Sequence, residues 1–184
     1  MNKPMVTVNI KIFFKALFLY VLLDALYCDD NNQIGNKIPN LNIRLLSGGS
    51  INLHDLAEDG PLLIDFWATW CAPCKKLMKF LNQYHLDYND ENFKVLMINT
   101  DTPRSLGKVR GFIKSQDYSF NVGMDPNKVL SKKLNGMIMP TLILVDKGGV
   151  IKWRHQGYVA GEEIEIEEQI KQVLGKNINE KNKG

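Results

Sequence analysis

The sequence predicts an α/β fold with a mixed central sheet flanked by helices. Two near-continuous apolar runs, 62–67 and 93–99, are typical of strands that are covered on both faces. Between them, the segment 72–89 has apolar residues at three- and four-residue steps, which indicates a helix. Near the C-terminus, 141–154 has the pattern of a β-hairpin. Strands that alternate with helices and end in a hairpin predict a sheet with both parallel and antiparallel pairs.

The first half of the folded region predicts a hairpin, a short helix and two strands that enclose one long helix. The hairpin is favoured by the Gly-rich turn 47–50 between two apolar stretches. A Gly-Pro pair at 60–61 separates the short helix from the first buried strand. In chain order we expect these elements at 41–46, 51–53, 53–57, 62–67, 72–89 and 93–99.

The second half predicts two helices around a short strand, then the hairpin and a closing helix. Pro103 is suited to open a helix, and Gly136 stands where a glycine terminates one. Acidic residues in the early turns of the closing helix suit the helix dipole. We expect the helices at 103–115, 126–134 and 162–174, and the strands at 119–122, 141–145 and 150–154.

Composition excludes several classes of protein. The chain has 184 residues, of which 45% are apolar, so it suits one globular domain and is too apolar for a disordered protein. Its 23 Lys and Arg residues against 20 Asp and Glu residues give a net charge of +3, of which residues 1–28 carry +2. The remaining +1 does not favour a nucleic acid or another polyanion as partner.

Residues 1–28 have the pattern of a signal or anchor segment. Lys11 and Lys15 precede the apolar run 16–23, and Asp24 follows it. A basic start, a short apolar core and a polar exit are typical of a secretory signal. The run is shorter than the about 20 residues that a spanning helix needs. We therefore expect an exported, periplasmic or other extracytoplasmic protein; the alternative is a buried N-terminal helix.

Cys28 directly follows this apolar segment and is a candidate for lipidation. A small residue is expected before the lipid-bearing cysteine of a bacterial lipoprotein, whereas Tyr27 stands there. Signal cleavage, retention as an anchor and lipidation stay open, so a membrane tether through the N-terminus is one outcome. After this segment we expect a polar linker at 29–40, the folded domain at 41–175 and a flexible tail at 176–184.

The three cysteines do not predict a disulfide-stapled scaffold or a zinc site. Cys71 and Cys74 form a single C-x-x-C pair, and Cys28 stands apart. Structural zinc takes four ligands, and the three histidines have no ligand spacing. We therefore predict no metal centre.

The C-x-x-C pair predicts thiol chemistry because it lies where a buried strand turns into a helix. Cys71 falls at the helix N-terminus, where free backbone N–H groups and the helix dipole stabilise a thiolate. Cys74 falls one helical turn later, on the same face and within disulfide reach. Pro73 is tolerated in the first turn because no amide partner is needed there. Cys71 is therefore the expected attacking nucleophile and Cys74 the resolving thiol.

Three residues of the preceding strand and turn are further candidates. Asp65 lies in an otherwise apolar strand, where its raised pKa would let it exchange a proton with Cys74. Alternatively, Asp65 is a structural acid whose carboxyl is hydrogen-bonded, or a residue of an edge strand. Trp67 is expected in the core, whereas Trp70, beside Cys71, is expected to shield the sulfur or to contact substrate.

The stretch 64–75, IDFWATWCAPCK, resembles the active-site segment of the thioredoxin superfamily. The stretch 136–146, GMIMPTLILVD, is similar to the cis-proline segment and the following strand of that superfamily. The hairpin at 41–53 and the long segment 103–134 resemble the exported TlpA/ResA-like branch. The resemblance covers 38–174, and it implies a thioredoxin fold with an N-terminal β-hairpin and a central insertion.

The resemblance also implies roles for individual residues. It implies a disulfide between Cys71 and Cys74 and a cis peptide bond between Met139 and Pro140. The Met139 backbone would pair with an incoming substrate segment. Pro140, which lacks an amide hydrogen, would keep metals and competing side chains away from the sulfurs. From the sequence alone, Pro140 is equally an ordinary turn proline ahead of a strand.

Two positions depart from the family pattern. Met97 stands where cytosolic thioredoxins carry a lysine beside the buried acid, which weakens the proton-exchange role of Asp65. Leu77 stands where ResA-like proteins carry a glutamate, which weakens a specific role in cytochrome c maturation.

The resemblance implies an enzyme, a protein-disulfide oxidoreductase whose only redox group is the Cys71–Cys74 pair, with no cofactor. Its partners would be protein thiols and disulfides, and an upstream electron donor for which a membrane protein is one candidate. The intervening Ala72–Pro73 offers a thiolate neither charge nor a side-chain donor. Because thiolate stabilisation makes a disulfide more oxidising, we expect a reductant; a disulfide oxidase or isomerase is the alternative.

A different class of function is a Cu(I)-binding chaperone, because soft sulfur ligands select cuprous ion. It would use Cys71 and Cys74 with Met139, and Met137 would be its only further support. Both methionines are equally explained as core residues. A peroxidase of the peroxiredoxin class is not supported, because the sequence has no separate peroxidatic cysteine with a threonine partner.

Overall fold

The computed structural model describes residues 33–176. The predicted signal segment 1–28, with Cys28, and the tail from 177 onward lie outside the described residues. Within 33–176, no helix is both long enough and apolar enough to cross a membrane.

Seven strands and five α-helices alternate along this part of the chain, in the pattern that the sequence predicts. The strands are β1 Asn42–Leu45, β2 Ser50–Asn52, β3 Leu62–Trp67, β4 Lys94–Asn99, β5 Asn121–Met124, β6 Thr141–Val145 and β7 Ile151–Gln156. The helices are α1 Leu53–Glu58, α2 Ala72–Asp87, α3 Leu106–Gln116, α4 Val129–Lys133 and α5 Glu163–Val173, with short 3₁₀ turns at Asn89–Glu91 and Pro103–Ser105.

All seven strands form one mixed sheet in the order β2-β1-β5-β4-β3-β6-β7. The central strands β3, β4 and β5 run parallel, while β6 is antiparallel to β3 and β1 is antiparallel to β5. The hairpins β1–β2 and β6–β7 close the two edges. The predicted mixed sheet is thus confirmed, and β5 lies within the predicted central insertion.

Helices pack on both faces of this sheet because each central strand is apolar on both sides. Along β3, Leu63 and Trp67 belong to the core beneath α2, α3 and α5. Ile64 and Phe66 point the other way, into the core beneath α1 and α4. Every residue of β3 is buried. Each fully buried aliphatic side chain contributes about 1.5–3 kcal/mol to folding, so the two cores fix the position of β3 from both sides.

The packed structure begins earlier than the predicted domain boundary at residue 41. Ile38, inside the predicted linker, is 2% exposed and belongs to the core beneath α1. Its N–H donates to the carbonyl of Gly149 at 2.9 Å, and Lys37 forms a bridge with Val150. Packed structure is therefore already present within the stretch that was predicted as a linker. The stretch 29–40 was predicted as a linker because most of its residues are polar, and Ile38, which points into the core, did not stand out.

Element ends in the central insertion differ from prediction, and side chains bind the backbone there. Strand β5 starts two residues late because the N–H and hydroxyl of Ser119 donate to Asn82 Oδ1 at 2.8 and 3.0 Å. Helix α4 starts at Val129, not at Pro126, because the Lys128 backbone is left-handed, with φ 56°. Asp125 Oδ1 then accepts the N–H of Val129 at 2.8 Å.

Gly136 does not act as the predicted helix terminator. Asn135 takes the left-handed conformation after α4, with φ 48°. A Cβ on Gly136 would overlap the ring of Phe66 instead. Glycine is therefore required at 136 because its backbone lies against the Phe66 ring of β3. Its position in the sequence does not reveal this contact.

Candidate active site

The two cysteines occupy the first turn of α2, as predicted. Cys71 is the N-cap residue, and its Sγ accepts the N–H of Cys74 at 3.3 Å. Pro73 lies in the same turn, where no backbone donor is lost. A disulfide joins Cys71 to Cys74, with their Cα atoms 5.4 Å apart. The sulfur of Cys71 thus lies at the positive end of the helix dipole, where a thiolate is stabilised.

Exposure distinguishes the two sulfurs. Cys71 is 3% exposed, whereas Cys74, a residue of α2 itself, is completely buried. An incoming thiol or disulfide can therefore approach only Cys71 from solvent. Trp70, immediately before it, is 71% exposed, which favours contact with a substrate over shielding of the sulfur.

The segment before β6 packs against the core cluster that contains both cysteines. The peptide bond between Met139 and Pro140 is cis, as the resemblance implies. Met139 packs against the core cluster that contains Cys71, and its Sδ accepts the hydroxyl of Thr100 at 3.3 Å. Pro140 is buried, and its carbonyl accepts the N–H of Gly157 at 2.8 Å. The preceding Ile138 is 61% exposed, so an apolar surface continues outward from Met139.

Asp65 lies in the middle of β3 and is completely buried. It pairs with Met97 on β4 and Leu142 on β6, so it is neither an edge residue nor next to a lysine in the sheet. Neither carboxyl oxygen has a hydrogen-bond partner among the described residues. Burial therefore raises the pKa of Asp65 well above its usual value. Strand alternation places its side chain on the face of Leu63, the face covered by α2.

Trp67 is a core residue, as predicted. It is completely buried, and its ring lies 5.6 Å from that of Phe112 on α3. Its indole N–H finds no acceptor within the described range. The residue therefore positions the active-site turn through packing.

A cluster of polar residues that the sequence analysis missed fixes the turn between β3 and α2. Asp101 accepts the N–H of Thr69 at 2.7 Å and its hydroxyl at 3.0 Å. Asn99 donates from Nδ2 to the same carboxylate at 2.9 Å. The signal in the sequence was the run Asn-Thr-Asp, which starts at the last residue of the buried strand β4, at the end of the sheet where Cys71 lies.

Within 33–176, no group of three or more His, Cys, Asp or Glu side chains is arranged to hold a metal ion. Of the two methionines considered for copper, Met137 is 45% exposed and Met139 packs against the core. The site thus provides a sulfur at the helix terminus in a residue that keeps slight exposure, a second sulfur that is fully buried, and a buried carboxyl on the same side of the sheet.

Comparison with known proteins gives a family and several relatives. The model of the AhpC/TSA family matches residues 34–154. The thiol-disulfide oxidoreductase ResA of Bacillus thuringiensis subsp. konkukian (strain 97-27) is 27% identical over 172 residues, covering 89% of this chain and 96% of that protein. The thioredoxin-like protein YneN of Bacillus subtilis (strain 168) is 32% identical over 133 residues, covering 72% of this chain and 77% of that protein.

Solved structures agree with this relationship. A crystal structure from Chlorobium tepidum, provisionally described as the thiol:disulfide interchange protein DsbE, superposes with a TM-score of 0.71 at 28% identity. It covers 77% of this chain and 98% of its own. A solution structure from Bacteroides thetaiotaomicron, provisionally described as a protein disulfide isomerase, gives a TM-score of 0.68 at 28% identity, with 78% and 91% coverage. The predicted thioredoxin fold is confirmed.

Proposed function

The chain belongs to the AhpC/TSA family, and from this premise we propose that it is an exported thiol-disulfide oxidoreductase that reduces protein disulfides. One observation carries the proposal: Cys71 is the N-cap of α2 and keeps 3% of its surface exposed, whereas its partner Cys74 has no exposed surface. An asymmetric dithiol of this kind supports attack by one sulfur and release by the other. The names of the relatives ResA and DsbE support the same activity.

In the reduced protein, the thiolate of Cys71 attacks one sulfur of a substrate disulfide. A bond forms between Cys71 and that sulfur, and the other substrate sulfur leaves as a thiolate. Cys74 then attacks Cys71 Sγ, which restores the Cys71–Cys74 disulfide and releases the second substrate thiol. The substrate gains two electrons, and the protein loses two.

Asp65 takes part as a proton carrier in this scheme. When Cys74 becomes a nucleophile, the carboxylate of Asp65 accepts its proton, and burial then favours the neutral carboxyl. When an upstream thiol donor recharges the protein, it attacks Cys71, and Cys74 leaves as a thiolate. Asp65 returns the proton to Cys74 in that step. The buried location of both groups on the α2 side of β3 supports this role.

The surface around Cys71 supplies the binding contacts. Trp70 offers an exposed side chain next to Cys71, and the Met139 backbone, as in the family that the sequence resembles, would pair with the substrate segment. Pro140 has no N–H, so it presents no donor to compete at the sulfurs. We assign no cofactor beyond the dithiol. The upstream electron donor is a dithiol protein or a membrane-bound reductant.

Substrate trapping with paired single-cysteine variants tests the assignment. Cys74→Ser should retain substrate proteins on Cys71 as mixed disulfides that a reductant releases, and Cys71→Ser should retain none. Iodoacetamide should also label Cys71 of the reduced protein before Cys74. Trapping by Cys71→Ser, or faster labelling of Cys74, would reverse the two roles.

Export is supported by the pattern of residues 1–28 and needs a separate test. Fused to residues 1–40, an alkaline phosphatase that is active only outside the cytoplasm should become active. A Cys28→Ser version separates lipidation from cleavage, since only a lipidated product would lose its partition into detergent. An inactive fusion would place the dithiol in the cytoplasm.

A further inference from the structure

A groove runs along the solvent-facing side of α2 and starts beside the reactive cysteine. Its volume is about 550 Å³, and it reaches from Ala72, the residue after Cys71, to Phe80. From Ala72 to Phe80 the α-helix rises over about 12 Å. The groove is therefore continuous with the surface where a substrate disulfide meets Cys71.

The walls of the groove are aromatic and anchored. Phe112 on α3 lines one side, and the same ring packs against buried Trp67. Tyr158, which precedes α5, lines the other side, and its hydroxyl donates to Glu163 Oε2 at 2.7 Å. Phe80 is 37% exposed at the far end. Side chains fixed in this way give a preformed apolar surface, which lowers the entropy lost on binding.

The charge of the groove is positive. Lys75, Lys76 and Lys79 line it, and none of them forms an ion pair with another residue of 33–176. Lys75 Nζ lies 5.7 Å from the centre of the Phe112 ring. Among the described lining residues Glu163 is the one acid, and its Oε2 already accepts the Tyr158 hydroxyl and the N–H of Gly161. Three lysines against one acid leave the groove ready for a negatively charged partner.

We propose that this groove binds an acidic segment of the substrate protein, next to the disulfide that Cys71 attacks. The inference rests on the proposed function, and it adds a preference among substrates. An extended chain rises about 3.3 Å per residue, so about four residues cover the groove. Acidic side chains within about four positions of the attacked cysteine would reach Lys76 and Lys79, and an apolar one would contact Phe80.

A peptide series tests this preference. Each peptide carries one cysteine as a mixed disulfide with thionitrobenzoate, and either two aspartates, two asparagines or two lysines within four positions of it. Attack of Cys71 on the peptide sulfur releases coloured thionitrobenzoate, and Cys74 then releases the peptide thiol. With the reduced protein in a single turnover, the acidic peptide should react with a second-order rate constant about fivefold higher than that of the asparagine peptide, because exposed ion pairs each contribute little. The lysine peptide should be slowest.

Charge reversal and salt locate the effect. In the triple variant Lys75→Glu, Lys76→Glu, Lys79→Glu, the acidic-to-asparagine ratio should fall below one. A matched variant, Lys128→Glu, Lys132→Glu, Lys133→Glu, changes the same charge at α4 on the other side of the sheet and should keep the wild-type ratio. The ratio should also approach one between about 0.01 M and about 1 M salt, as the Debye length falls from about 30 Å to about 3 Å.

Each result decides between the interpretations. Equal rates for the acidic and asparagine peptides in the wild type would overturn the proposal that the groove binds acidic segments. The proposed oxidoreductase function would still stand. If no peptide reacts, the proposed function fails. Calorimetry with cysteine-free peptides then tests the groove by itself: tighter binding of the acidic peptide supports the proposal, and equal binding overturns it. If the triple variant loses binding to anionic phospholipid vesicles but keeps its peptide ratio, the lysines face a membrane and the inference is wrong.

Discussion

Asp65 in the middle of β3 and Asp101 just beyond the end of β4 are both buried carboxyls, yet their surroundings are opposite. Asp65 is completely buried and has no hydrogen-bond partner among the described residues. Asp101 is 6% exposed and accepts three hydrogen bonds, two from Thr69 and one from Asn99. Burial costs free energy unless hydrogen bonds replace the lost water. Asp101 is thus suited to hold structure, and Asp65 to gain and lose a proton.

The surroundings of Asp65 also support the proposal that the protein reduces substrate disulfides and does not form them. Asp65 on the α2 side of the sheet can carry the Cys74 proton, but once ionised it adds negative charge there and so disfavours a lasting thiolate. The Ala72–Pro73 pair adds no donor either. The helix terminus at Cys71 is therefore the main stabilisation that a thiolate receives.

The largest expected effect is on the reduction potential. We expect a midpoint near thioredoxin's about −270 mV and far from the about −120 mV of the oxidase DsbA. The difference of about 150 mV corresponds to about 7 kcal/mol for two electrons. Equilibration against glutathione at several ratios, followed by alkylation of free thiols, measures the midpoint. A value more positive than about −180 mV would assign the protein to the oxidases or isomerases.

The next largest effect is the loss of folding stability when Asp101 is replaced. Asp101→Ala leaves the Thr69 N–H and the Asn99 amide without their acceptor, so the free energy of unfolding should fall by about 3 kcal/mol. Asp101→Asn keeps one acceptor oxygen and should lose less. Urea unfolding of the reduced protein measures both. Asp90→Ala, at an exposed position, is the control and should stay within about 0.5 kcal/mol of wild type. Unchanged stability of Asp101→Ala would mean that the turn holds without the carboxylate.

Replacing Asp65 should change the free energy of unfolding in the opposite direction to replacing Asp101. Asp65→Ala removes a buried carboxyl that has no partner, so the free energy of unfolding at pH 8 should rise by about 2 kcal/mol. The small cavity that alanine leaves offsets part of the gain. The same variant should resolve mixed disulfides about a hundredfold more slowly, since proton transfer by a placed side chain contributes at least this much. A variant that is stabilised but equally fast would leave Asp65 without a role in proton transfer.

Much of this site could be predicted from the sequence because its signals are local. A buried strand followed at once by C-x-x-C at a helix start placed Cys71 and Cys74 correctly, and the apolar runs placed β3 and β4. Asp65 stood out because one acid in an apolar strand is unusual. The closing hairpin was equally clear, since its strands flank a tight turn.

What the sequence did not reveal depends on contacts between distant residues. Asp101 binds Thr69, 32 positions earlier, and Asn82 binds Ser119, 37 positions later. Ile38 is one of two isoleucines in a polar stretch, and its burial depends on packing against the core beneath α1, which follows later in the chain. Periodicity carries no information about such pairs, because a side chain that caps a remote backbone leaves no repeating pattern.

The smallest effect, and the one that tests Asp65 most directly, is the pH dependence of stability. The unfolded chain releases the Asp65 proton near the ordinary value of 3.8, whereas the folded protein holds it to a higher pH because burial raises the pKa. Between those two pKa values the native state binds one more proton than the unfolded state. Stability must therefore fall as pH rises through this window, by up to about 1.4 kcal/mol per pH unit.

Asp65→Asn isolates this contribution, because the amide keeps the buried polar group and the shape but does not ionise. The difference in unfolding free energy between wild type and Asp65→Asn, measured in urea from pH 4 to pH 9, should shift steadily against the wild type as pH rises. It should level off above the native pKa of Asp65, which the curve then reports. A difference that stays flat would mean that Asp65 titrates normally in the folded protein, and its contrast with Asp101 would then be one of hydrogen bonding alone.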